Sequence, residues 1–267
     1  SFKEWFRRTG YYRFRILSAI GENNLSRYPE AISKLKVLTR KYGIFRNVLD
    51  TEPKGGVVGP PLESRAYQNM TTKQWLRSMK LFNLDYDHYS SKRGFLKGGL
   101  IEHSRVFEAV VRENPDKFFC SVMTISQTPE IDRQYLAAGI GGLVDNYKDI
   151  QQLKQLLFVS YKTDHFWCIH QLIKLAQSLL KQEHSTEVFG VIVFYVDQYC
   201  DQEIDSWEKG YYGNSPLTAA INSTIGTAIW ALLDCADYPE YVDDVFEVLE
   251  RNVSKFSIAS RVCLLHN

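Results

Sequence analysis

The chain lacks the sequence signatures of most catalytic and membrane-spanning classes. It contains no GxxxxGK[ST] phosphate loop and no GxSxG motif around a nucleophilic serine. No run approaches the roughly 20 apolar residues that a membrane-spanning helix requires, and no signal peptide is visible. We therefore expect a cytoplasmic chain with no membrane contact, and with no catalytic residue, metal or cofactor in this segment.

Cysteine is sparse, and no CxxC pair occurs. The five cysteines stand singly, mostly within apolar helical patterns: Cys120, Cys168, Cys200, Cys235 and Cys263. This usage predicts reduced, buried thiols of a cytosolic protein instead of disulfides or a zinc site. The glycines of AAGIGGL, Gly139, Gly141 and Gly142, resemble a nucleotide loop only superficially, because no strand precedes them. They predict close helix packing and a helix end.

Strand patterns are scarce, whereas helical periodicity dominates the chain. The pattern predicts a first helix ending near Gly21, a second ending at Gly43, and a third capped by Thr71 or Thr72. From Gly98 onward it predicts helices over 99–113, 115–126, 130–144, 147–161, 164–182, 186–204, 216–236, 239–253 and 256–266. The strand-like run Val188–Val196 is predicted to be a fully buried helix. Residues 43–69, rich in glycine and proline, are predicted to form an extended connector without regular structure.

The stretch SPLTAAINSTIGTAIWALLDCADY, residues 215–238, predicts one unbroken helix of about six turns that is packed on both sides. One face has small residues at Ala219, Ser223 and Gly226, and the other carries the apolar stripe Ile221, Ile225, Ile229 and Leu232. Asn222 is predicted to be the one polar residue deep in this packed helix. Helices packed on two sides are typical of layered helical repeats. We therefore expect an all-α fold: an irregular antiparallel helical-repeat array, an α-solenoid of about 11–13 helices.

One domain is predicted over residues 1–267, as a piece of a larger protein, because the chain starts with Ser1 and Phe2 instead of methionine. Charge is distributed unevenly along it. Residues 1–49 carry eleven Lys and Arg against three acidic residues, and residues 183–250 carry fourteen acidic residues against one base. The pattern fits either solvated helix faces or two surfaces for different neighbours.

Candidate binding residues come from two loops and from the first helix. Trp207, Tyr211 and Tyr212 lie around the loop EKGYYGNS, and exposed tyrosines there suit protein recognition. Asp85 and His88 belong to a polar loop that is a second candidate contact surface. For each loop, packing or solvation without a ligand is the alternative.

The first helix interleaves arginines with aromatic residues; the arginines are Arg7, Arg8, Arg13 and Arg15. This basic patch could bind nucleic acid through phosphate contacts and stacking. In the alternative, the aromatic residues fill one helix face and the arginines cover the other. A third hypothesis is an enzyme whose site assembles around Asp85, His88 and His103.

Several segments, in order, are similar to a known family. They are KLKVLTRKYG, VVGPPLESRAYQNMTTKQWLRSMKLF, FLKGGLIEHSRVFEAVVRENPDKFFCSVMTI, YLAAGIGGL and the late SPLTAAINSTIGTAIWALLDCADY. Their order resembles the helical-repeat regions of large bacterial STAND-type NTPases of the antiviral ATPase kind. The family pattern has a basic residue after Asn-Ser-Thr, where this chain has Ile225.

The resemblance implies a non-catalytic sensor or scaffold region that recognises a phage or other foreign protein and also contacts other domains of its own polypeptide. A nucleic-acid-binding adaptor that uses the basic N-terminal segment is the alternative function.

Overall fold

The computed structural model describes residues 10–43, 58–83, 97–202 and 215–266. Those residues form fifteen α-helices and contain no β-strand, so the all-α expectation is confirmed, with more helices than predicted. Chain contacts divide the protein into two compact units, Ser1–Gly56 and Val57–Asn267. The predicted single array over residues 1–267 stays a prediction. No helix in the described ranges is long and apolar enough to cross a membrane.

The first unit is a small helical cluster comprising α1 (Tyr11–Ile20), α2 (Glu22–Leu25) and α3 (Pro29–Tyr42). Its core is Phe14, Leu25, Leu35 and Leu38. Gly21 and Gly43 follow α1 and α3 with φ angles of 78° and 84°, a region that glycine adopts without strain. The predicted helix ends at these two glycines are confirmed, whereas α2 was not predicted.

The second unit begins with two helices around a buried tyrosine and tryptophan: α4 (Ser64–Asn69) and α5 (Thr72–Leu81). The prediction of a connector without regular structure over 43–69 is wrong for α4; residues 44–57 lie outside the described ranges. Tyr67, 5% exposed, stacks on Trp75 with ring centroids 5.3 Å apart, and this burial stabilises the short helix. The predicted cap is confirmed, because Gln74 N–H donates to Thr71 Oγ1 at 3.3 Å.

The central helices match the predicted segments closely. They are α6 (Leu100–Glu113), α7 (Pro115–Ser126), α8 (Arg133–Leu143), α9 (Ile150–Ser160), α10 (Phe166–Gln182) and α11 (Thr186–Tyr199). In α11, Val188 and Val196 are buried but Gly190 is exposed. The run Val188–Val196 is therefore helical, as predicted, but it is amphipathic instead of buried on all sides.

The predicted unbroken helix over 216–236 is wrong, because the chain forms α12 (Pro216–Ile221) and α13 (Thr224–Cys235). Ser223 starts α13 by accepting the Gly226 N–H at 3.0 Å, and its own hydroxyl donates to Ala220 O at 2.6 Å. A Cβ on Gly226 would collide with Ala220 O, so this corner requires glycine. Asn222 is exposed, and not deep in a packed helix as predicted. A 3₁₀ turn (Pro239–Tyr241), α14 (Val242–Asn252) and α15 (Ile258–His266) follow.

Contacts between helices of the second unit follow two series. In one series, α6 contacts α8, α8 contacts α10, α10 contacts α13 and α13 contacts α15; in the other, α7 contacts α9 and α11 contacts α14. Thr227 Oγ1 lies 3.2 Å from His170 Nδ1, and seven residues further along both helices Gln177 Nε2 donates to Asp234 Oδ2 at 2.7 Å. Since residue numbers increase together in these pairs, α10 and α13 run parallel.

Candidate functional site

Most of the predicted binding residues lie outside the described residues. These are Trp207, Tyr211, Tyr212, Asp85 and His88, together with Arg7 and Arg8 of the basic patch. Arg13 and Arg15 are described and are exposed on α1. Phe14, between them, is 2% exposed and belongs to the core of the first unit. Stacking of a base on Phe14 is therefore excluded, and the interpretation in which this aromatic residue fills one helix face is correct there.

His103, named in the enzyme hypothesis, is completely buried in an aromatic cluster of the second unit. Its ring stacks on Trp75 with centroids 5.2 Å apart, and Tyr135 approaches edge-on at 5.6 Å. Nδ1 lies 2.9 Å from Tyr67 Oη, and Nε2 lies 2.9 Å from Ser78 Oγ. Burial lowers the pKa of His103 to about 4, so at neutral pH the ring is uncharged.

The hydrogen-bond chain through His103 determines its tautomer. Ser78 Oγ donates its only proton to Trp75 O at 2.8 Å, so it must accept a hydrogen bond from the His103 Nε2–H. Nδ1 then accepts from the Tyr67 hydroxyl, whose oxygen accepts the Leu62 N–H at 3.4 Å. In this arrangement His103 cannot take the Ser78 proton, which a serine nucleophile would have to lose. The described contacts make His103 a structural residue that joins α4, α5 and α6.

A groove accessible from solvent lies between α6, α8 and α10 and has a volume of about 330 Å³. Ala137 and Ala138 of α8 form its floor and are 3% and 5% exposed. A Cβ on Gly142 would come within 2.7 Å of Glu108 O, so glycine lets α6 approach α8 closely. The predicted role of the AAGIGGL glycines in helix packing is confirmed at this position.

One wall of the groove carries an exposed tryptophan. Trp167 of α10 is 53% exposed, and its ring packs against Phe166 at 5.0 Å and His170 at 6.1 Å. These aromatic neighbours hold the indole in place beside the alanine floor. Gln171, one turn further along α10, lines the same wall. A large apolar side chain held at the edge of a groove is typical of a protein contact.

Ile101 adds a further apolar residue to the groove, and the other residues that line it are polar or charged. Within the described ranges, the side-chain amides of Gln134 and Gln171 form no hydrogen bond, and Arg105 forms no ion pair. Glu108, by contrast, is paired with Arg112 at 2.6 Å. Among the described residues, the groove therefore presents two amides without a hydrogen-bond partner and one arginine without an ion pair.

A second cavity, of about 260 Å³, lies near the ends of α7 and α9. Arg133 lines it, but its Nη1 donates to Ser126 O at 3.0 Å and to Ile125 O at 3.3 Å. The guanidinium thus stabilises the end of α7, where carbonyl groups lack helical partners. Within the described residues, no group of three or more His, Cys, Asp or Glu side chains is placed to hold a metal.

Sequence reasoning missed the groove, although one of its residues carried a signal. The buried side of α10 includes Cys168, Leu172 and Ala176, so Trp167 and Gln171 fall on its polar side. A tryptophan on the polar side of an amphipathic helix is a signal of a contact surface that the sequence offers, because tryptophan is enriched at protein interfaces. Comparison of the chain with protein-family models, curated proteins and solved structures found no match.

Proposed function

We propose that this chain is a non-catalytic protein-recognition region and that the groove between α6, α8 and α10 is its docking site. The observation that supports this most is Trp167, 53% exposed beside a floor formed by Ala137 and Ala138. Tryptophan is enriched among the residues that dominate binding energy at protein interfaces. The polar residues Gln134, Gln171 and Arg105 add the hydrogen-bonding groups that give such a surface specificity.

We further propose that the helices form an irregular α-solenoid. In support of this, α6, α8, α10 and α13 contact one another in succession, while the intervening α7, α9 and α11 return the chain. Repeating contacts of this kind leave one row of helices available for binding along its length. The groove lies on three successive members of that row.

The resemblance to STAND-type NTPases supports a more specific role: a cytoplasmic sensor region that recognises a phage or other foreign protein. Binding would shift the larger protein towards an active assembly by favouring one of its conformations. Ile225, where the family pattern has a basic residue, is completely buried in α13. If the family uses that base to contact another domain of the polypeptide, this chain lacks the residue that makes the contact.

A panel of purified phage proteins tests the recognition role by titration calorimetry. We expect at least one to bind, and Trp167→Ala to weaken it about 30-fold or more, since hot-spot truncations cost about 2 kcal/mol or more. Phe158→Ser is the matched control, because Phe158 is a 39% exposed aromatic residue on α9 and does not line the groove. No binding across the panel, or equal loss in both variants, would refute the proposal.

Nucleic-acid binding by the first unit remains the alternative function, supported by one observation. Its described residues include seven exposed basic residues against two acidic ones. The basic residues are Arg13, Arg15, Arg27, Lys34, Lys36, Arg40 and Lys41. Since Phe14 is buried, phosphate contacts would have to supply most of the affinity, which would then fall steeply with salt. A gel shift that shows no retardation at low salt removes this alternative.

A further inference from the structure

We propose that the groove between α6, α8 and α10 holds an extended peptide segment that carries an acidic residue. This inference rests on the proposed function and specifies the kind of partner segment that the groove takes. It follows from three properties of the groove as the described residues form it: side-chain amides without a hydrogen-bond partner, a shallow alanine floor and one arginine without an ion pair.

The amides favour an extended peptide over a helix. Gln134 on α8 and Gln171 on α10 each offer one acceptor and two donor protons, and neither amide is bonded within the described residues. An extended peptide presents free N–H and C=O groups along both of its edges. A helical partner has already paired its backbone groups internally and has none to offer along its side. The two glutamines therefore match the backbone of an extended segment.

The space between the alanine floor and the indole of Trp167 can hold one small or aliphatic side chain of the peptide. Ala137 and Ala138 project only methyl groups, and Trp167 stands beside them as an apolar wall. The groove volume of about 330 Å³ is small for a whole secondary-structure element but suits a few residues of an extended chain. Contact with the indole would bury apolar area on both partners.

The charge of the groove selects an acidic residue. Among the described residues, the charged ones that line it are Arg105 and Glu108. Glu108 is already paired with Arg112 at 2.6 Å, whereas Arg105 is exposed and has no ion pair within the described ranges. A carboxylate on the peptide would complete this pair through charge-assisted hydrogen bonds. A basic residue at the same place would meet an unpaired positive charge.

The test uses fluorescein-labelled peptides of about nine residues, roughly 30 Å when extended, with varied aliphatic neighbours around a central Asp, Asn or Lys. Fluorescence anisotropy against the full chain should show the Asp series binding about tenfold or more tightly than the Lys series. Gln171→Leu, which keeps side-chain bulk but removes the amide, should weaken binding. Arg105→Glu should reverse the preference, so that the Lys series binds more tightly than the Asp series. Phe158→Ser should change neither the affinity nor the preference.

Replacing single peptide bonds of the best binder by esters removes individual backbone N–H donors, and at least one replacement should weaken binding severalfold. The inference is overturned if no peptide binds at millimolar concentration, if Arg105→Glu leaves the Asp preference intact, or if the bound peptide becomes helical by circular dichroism. If a folded phage protein binds through Trp167 while no peptide does, this inference fails and the proposed function stands. If neither binds, both fail.

Discussion

Acidification should destabilise the second unit through His103. The ring is neutral when folded, because burial lowers its pKa to about 4 from an ordinary value of 6.5. The unfolded chain therefore takes up a proton near pH 6.5, and the folded chain does not. Stability contributed by the neutral ring is fully present above pH 6.5 and is lost as the pH falls towards 4. These two pKa values give a loss of about 2 kcal/mol in unfolding free energy by pH 5.

Urea unfolding at pH 7 and pH 5 measures this loss, with His103→Gln as the comparison because glutamine bonds through its amide but does not titrate. Other titrating groups are present in both proteins and cancel in the comparison. One of them is His170, whose pKa is also lowered by burial to about 4. The wild-type chain should lose about 2 kcal/mol more than the variant over this interval. An equal pH dependence in the two proteins would show that His103 is not held neutral, and would refute the hydrogen-bond chain described for it.

Three further predictions concern packing, thiols and capping. Gly226→Ala should lower the unfolding free energy by about 1–3 kcal/mol, because the new methyl group meets Ala220 O. Gly190→Ala is the control: it lies in open space on α11 and should raise the unfolding free energy by about 0.5–1 kcal/mol. Equal effects of the two substitutions would contradict the close packing at Gly226. Of the five thiols, the exposed Cys120 should react quickly with Ellman's reagent, whereas the four buried thiols should react quickly only after unfolding. Burial raises the pKa of one of these, Cys168, to about 12. Rapid reaction of all five thiols in the folded chain would contradict the burial of these four cysteines. Thr71→Ala should cost about 1 kcal/mol by thermal unfolding, and no loss would contradict the capping box.

Local signals explain which helix boundaries were predictable. Pro115 begins α7, and Gly43 ends α3, because proline suits the first helical position and glycine adopts a positive φ after the last one. The break before α13 has no such local signal. There the Ile225 N–H donates to Gln202 Oε1 at 3.3 Å, a partner 23 residues away. Interactions of that separation decide whether a serine caps a helix or continues one.

Tertiary contacts likewise explain the missed α4 and the missed groove. Tyr67 bonds His103, which lies 36 residues further along the chain, so the burial that stabilises α4 is invisible locally. Trp167 could be recognised from its position on the polar side of α10. Gln134 and Arg105 could not be joined to it, because their proximity depends on the close approach that Gly142 permits between α6 and α8.

Hydrogen–deuterium exchange of the chain, alone and saturated with a bound phage protein, tests the recognition surface most directly. The account predicts that binding slows exchange at the N-terminal halves of α6, α8 and α10, which line the groove, and leaves α9, where Phe158 lies, unchanged. Slowed exchange confined to helices outside the groove, with α8 and α10 unaffected, would contradict it.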